Sequence, residues 1–108
     1  MADITTEKLA ELEAAHGRIG VVTHTDGKSW AVVLRKPKRG EYKMFRAHSG
    51  NDQKRPEAQE NLVKQTCIWP ETGQALDALL DEWPGIPEAC GAMLMSLAGM
   101  SGLEQGKL

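Results

Sequence analysis

Asp26-Gly27 separates two β-rich runs, IGVVTHT and KSWAVVL, and this junction limits the possible folds more than any other stretch of the chain. An Asp-Gly pair supplies the positive φ that a type I′ turn requires at both central residues, so the runs read as one antiparallel hairpin over residues 19–35. With a two-residue loop, Thr25 faces Lys28, and the register opposes Thr23 to Trp30, Val21 to Val32 and Ile19 to Leu34. Those residues form the expected buried face, while Gly20, Val22, His24, Ser29, Ala31 and Val33 make a mixed opposite face. A two-stranded ribbon is marginal alone, so helices must cover it.

Helical patterns occupy most of the remaining sequence. Thr5 or Thr6 caps a short helix over residues 5–16 that places Leu9 and Leu12 on one face and stops at Gly17. Pro37 stands ahead of a second helix over about residues 39–48, with Tyr42, Phe45 and Arg46 clustered at one-turn spacing. The polar run SGNDQKR (residues 49–55) reads as an exposed, mobile loop. Three further helices follow. Residues 56–69 put Leu62, Val63, Thr66, Cys67 and Trp69 toward a core. Residues 73–83, capped by Thr72, align Leu76, Leu79, Leu80 and Trp83, and residues 86–99 align Ile86, Ala89, Cys90, Met93, Leu94 and Leu97. Two Trp-Pro steps, at Trp69-Pro70 and Trp83-Pro84, mark helix ends, and the tail, residues 100–108, reads as frayed. The sum is a single-domain α+β fold, one antiparallel β-hairpin packed with helices and a C-terminal three-helix portion.

With 41% apolar and 26% charged residues in 108, the chain has the composition of one modest core rather than of a disordered polymer. No run approaches the roughly 18 apolar residues that span a bilayer, and the N-terminus MADITTEKLAELE is acidic, which predicts a cytoplasmic protein with no membrane contact. Cys67 and Cys90 fall on apolar helical faces and read as reduced core thiols. His16, His24, His48 and the two cysteines show no metal-ligand spacing, and Asp77, Asp81 and Glu82 share the polar side of a helix. Neither a phosphate-cradling nor a dinucleotide glycine motif is present. No nucleophile, base and orienting group assemble from these residues, so the reading is of a protein that is not an enzyme and has no catalytic residue, metal or cofactor.

Charge is unevenly placed. Residues 35–55 carry eight Lys/Arg against Glu41 and Asp52, or +6, while residues 56–108 carry eight acids against Lys64 and Lys107, or −6. The total of −2 therefore conceals a dipolar molecule. Within the basic segment, Arg35, Arg39, Tyr42, Phe45 and Arg46 are the expected partner-binding residues, with Tyr42 and Phe45 alternatively serving as core of a short amphipathic helix. Trp69 and Trp83 read as core residues at helix ends. Cations around aromatics suit a protein partner, and they also suit nucleic acid, whose binding weakens steeply with salt.

The order of four short motifs carries a resemblance. They are the Arg35–Phe45 segment, RKPKRGEYKMF; Cys67-Ile68-Trp69-Pro70; Ala75–Leu80 running to Trp83-Pro84-Gly85-Ile86; and Leu97-Ala98-Gly99. Over Val32–Gly99 the chain resembles the small tail assembly chaperone-like proteins encoded in tailed-phage and prophage tail-gene clusters. That resemblance implies a non-enzymatic role in the host bacterium's cytoplasm, coating or escorting the long, hydrophobic, helical tape-measure protein of the tail; the several helical faces, dipolar charge and polar loop suit binding to long helices and self-association into a homo-oligomer. A small nucleic-acid-associated regulator using residues 35–55 and a phage-encoded inhibitor of a host protein are the alternative readings.

Overall fold

The computed structural model describes residues 4–99. Its elements run α1 (Thr6–His16), β1 (Ile19–Thr23), β2 (Ala31–Arg35), α2 (Arg39–Ser49), α3 (Arg55–Thr66), β3 (Cys67–Trp69), α4 (Gly73–Glu82) and α5 (Ile86–Leu97). The three strands form one antiparallel sheet in the order β1-β2-β3, and the fold is α+β. The tail expected to fray lies outside the described residues.

The starts of α1 and α4 follow the side chains that satisfy them. Thr5 Oγ1 accepts the Lys8 N–H at 3.0 Å and Thr72 Oγ1 accepts the Ala75 N–H at 3.1 Å, each meeting one of the donors a helix leaves orphaned at its first turn. Gly17, at φ +81°, ends α1 in a conformation that other residues rarely adopt. The polar connection before α3 is a turn built on Asn51, whose side-chain oxygen accepts from Gln53 N–H (2.9 Å) and Lys54 N–H (3.2 Å).

The hairpin differs from its expected register by one residue. Ile19 pairs with Arg35, Val21 with Val33 and Thr23 with Ala31, and His24 N–H donates to the Trp30 carbonyl at 3.1 Å. The loop is therefore residues 25–29 rather than two residues. Asp26 holds it open: its carboxylate accepts the backbone N–H groups of Lys28 (2.7 Å) and Ser29 (2.9 Å) and the Ser29 hydroxyl, while Gly27 takes φ +72°. A one-residue shift turns a strand over. β2 still directs Trp30, Val32 and Leu34 into the core, but on β1 Gly20 and Val22 face inward and Val21 and Thr23 are exposed, the reverse of the expected assignment.

A second correction concerns the helix expected over residues 56–69. It stops at Thr66, whose buried hydroxyl donates to the Leu62 carbonyl at 2.8 Å, and Cys67–Trp69 instead extends along β2. Pairing Val33 with Trp69 and Leu34 with Cys67 satisfies backbone groups that β2 would otherwise bury unpaired. β2 is thus the central strand, and Ala31 through Leu34 are all buried.

Around it, Leu62 and Val63 of α3, Leu76 and Leu80 of α4, and Ile86, Cys90, Leu94 and Leu97 of α5 complete one core with Trp30, Val32 and Leu34. Burial of each large aliphatic side chain contributes about 1.5–3 kcal/mol. α5 approaches β1 where Gly20 has no side chain: a Cβ there would run into the Met93 side chain and lie 3.3 Å from Leu97 Cδ1. Gly20→Val is accordingly expected to destabilise the fold by about 1–3 kcal/mol, read as a lower urea midpoint at constant m. An unchanged midpoint would contradict this close packing.

Candidate functional site

The site grows from the end of the central strand. Arg35, the last residue of β2, reaches Glu41 on the first turn of α2 through two parallel bonds, Nη1 to Oε1 at 2.9 Å and Nη2 to Oε2 at 2.7 Å. Its Nη2 also donates to the Gln65 carbonyl of α3 at 2.6 Å. Glu41 Oε1 additionally accepts the Lys38 N–H at 2.8 Å, covering a donor at the start of α2. Arg35 and Glu41 side chains are only 18% and 19% exposed, so the pair works in a shielded setting. The Arg35 guanidinium holds the Glu41 carboxyl below its usual range, and the carboxylate raises Arg35 in return.

This clamp sets α2 so that Arg39, Lys43 and Arg46 stand exposed along one face, with half-buried Tyr42 among them. Together with Lys36 and Pro37 before the helix and Ala98 at the end of α5, they line an open groove of about 500 Å³. Of the eight cations in residues 35–55, Arg35 pairs with Glu41 and Arg55 with Asp52. The other six, Lys36, Lys38, Arg39, Lys43, Arg46 and Lys54, join no ion pair among the described residues, and four of them line the groove.

The expected partner-binding residues thus divide. Arg39, Tyr42 and Arg46 come together in the groove. Phe45, its ring 6.1 Å from that of Tyr42, leans onto the core and lines a separate small depression with Met44, His48 and Leu62. Arg35 is turned into the fold as a clamp. Lys36 and Lys43, two of the eight cations of the basic segment, join them there, as does Ala98, which the sequence did not single out. Lys43 stands four residues after Arg39 and three before Arg46, whereas nothing in the sequence connects Ala98 to a helix some fifty residues earlier.

Residues 12–107 match the family described as a domain of unknown function (DUF6848). The chain belongs to the DUF6848 family. No curated protein matches it. A solved structure described as the uncharacterised protein rbstp2171 from Bacillus stearothermophilus is similar in fold, with TM-score 0.67 at 20% identity over 84% of this chain and 91% of that one. Among the described residues of this DUF6848 chain, no helix is long and apolar enough to cross a membrane, and no three His, Cys, Asp or Glu side chains converge as metal ligands.

The two thiols of this DUF6848 domain have a structural environment. Cys90 is fully buried and Cys67 half-buried with Sγ 3.1 Å from the Trp69 carbonyl; burial pushes their pKa values up to about 12 and about 11. Both are expected to react sluggishly with a disulfide reagent at about pH 8 in the native state and promptly in denaturant. Fast native labelling of either would contradict the burial.

The clamp predicts a pH signature. Because folding lowers the Glu41 pKa, its stabilisation is complete above the unfolded value of about 4.3 and is lost as pH falls through the lower folded value. Glu41→Gln is expected to cost about 1–2 kcal/mol at neutral pH, with the gap to the wild type narrowing below about pH 4. Equal gaps at both pH values in denaturant titrations would show that the charge of Glu41 is unimportant.

Proposed function

We propose that this DUF6848 protein is a non-enzymatic, protein-binding assembly factor, a tail assembly chaperone or accessory protein of a tailed phage or prophage. Its place of action on this reading is the cytoplasm of the host bacterium, and its client is the helical tape-measure protein of the tail. The observation that carries the reading is the groove on α2, where four cations that join no ion pair among the described residues surround a half-buried tyrosine. Such a surface combines charge with an apolar anchor and suits reversible docking of another chain rather than chemistry on a small substrate.

The residues behind the sequence resemblance support it in a specific way. Arg35 and Glu41 are the clamp, Cys67–Trp69 is the third strand, and Trp83 to Ile86 joins α4 to α5. Those motifs build the frame that presents α2, so a shared motif order is consistent with a shared way of displaying this face.

The test is affinity capture of the tagged chain from the lysate of its native host, with and without nuclease, followed by identification of what co-purifies. Recovery of a long helical tail protein, unaffected by nuclease, is the expected result. Recovery of nuclease-sensitive DNA or RNA in its place would overturn the reading and favour a nucleic-acid regulator, whose retention would fall steeply with salt.

A further inference from the structure

We propose that the groove on α2 takes an acidic helical segment of a protein partner, with carboxylates spaced at one-turn intervals beside one apolar side chain. This deepens the protein-binding reading and rests on it. Arg39, Lys43 and Arg46 stand at i, i+4 and i+7 on α2, a row about 10 Å long along the helix axis. A helix lying alongside and carrying Asp or Glu at the same intervals meets each cation in turn, and Lys36 extends the row beyond the start of α2.

Among the described residues, no acid pairs with the cations of the row. The two acids of residues 35–55 are engaged by Arg35 and Arg55, so the row keeps its charge among the described residues. Between the cations, Tyr42 offers a half-buried ring, and Ala98 forms a low wall that leaves room for an apolar side chain from the partner. Arginine gives two of these contacts a planar donor fork matched to carboxylate, and the phenol adds an amphipathic anchor of the sort enriched at interface centres.

The arrangement favours a peptide over nucleic acid. Sequence-tolerant nucleic-acid grooves stack successive bases on several aromatic rings. Here Tyr42 is the aromatic side chain in the groove, Phe45 being turned to the core. Residues 56–108 carry a net −6, which opposes the approach of a long polyanion but leaves a short acidic segment free to dock on the basic half.

The experiment is a titration of the isotope-labelled full chain followed by NMR amide shifts. The probe is an alanine-rich helical peptide of about 15 residues with Glu at i, i+4 and i+7 beside one Leu. A Glu→Gln version of the peptide and a single-stranded DNA oligonucleotide are the comparisons. Expected are shifts confined to Lys36 through Arg46 and Ala98, weakened at least about tenfold by the Gln peptide and by the R39E/K43E/R46E variant, whose circular dichroism stays native because all three side chains are exposed. Equal response to the Glu and Gln peptides, no response to the Glu peptide, or tighter binding of DNA at physiological salt would overturn the inference. The same variant used for lysate capture separates the two readings. If it still retains the tail protein, the chaperone function stands and this groove is not its site. If the peptide binds as expected but no tail protein is captured, the groove assignment stands and the chaperone function fails.

Discussion

The bidentate pairing of Arg35 with Glu41 ties the end of β2 to the start of α2 and, through one further bond, to α3. One guanidinium at the end of β2 holds the first turn of α2 and donates a third hydrogen bond to the carbonyl of Gln65 near the end of α3. Only arginine presents a planar fork able to serve two carboxylate oxygens and a carbonyl together; a lysine there would act as a point charge. In a shielded position the pair is also asymmetric in its effects, because deleting one partner leaves the other charge poorly solvated. This contact at the first turn of α2, together with Phe45 packed on the core, positions α2 and its basic face.

From the clamp follows the charge display. With Glu41 and Asp52 engaged by Arg35 and Arg55, the remaining cations of this segment join no ion pair among the described residues, and the helix pitch sorts three of them into a row beside Tyr42. The acidic half of the chain is occupied differently: Glu71 holds Lys8 of α1 at 2.6 Å, while Glu60 and Asp77 share Lys64 at 3.3 and 3.6 Å. Surface pairs of this kind contribute little to stability, about 0–1 kcal/mol each, but they fix where charge is left over.

Much of the architecture was legible in the sequence because local chemistry and tertiary structure agree. Thr5 and Thr72 announce helix starts by capping them, the prolines at the starts of α3 and α5 sit where a missing N–H is harmless, and the apolar spacing of Ile86 to Leu97 survives intact in α5. The illegible parts are those decided by distant partners. Asp26-Gly27 marked the hairpin, but the Asp26 carboxylate builds a five-residue loop instead of a two-residue turn, and that choice inverted β1. Cys67–Trp69 continues a helical apolar pattern, and only the need of β2 for a second neighbour makes it a strand. Arg35 read as a surface cation because its partners lie six and thirty residues away, and the groove wall at Ala98 is equally remote.

On the proposed function, the α2 face, and not another part of this DUF6848 domain, meets the partner. Site-specific photo-crosslinking in living cells decides this, with the crosslinker at Arg39 in one strain and at exposed Ala78 of α4 in another. Light-dependent adducts to a single protein from position 39 and none from position 78 is the result this account requires. Adducts from position 78 alone, or adducts to nucleic acid from position 39, would contradict it.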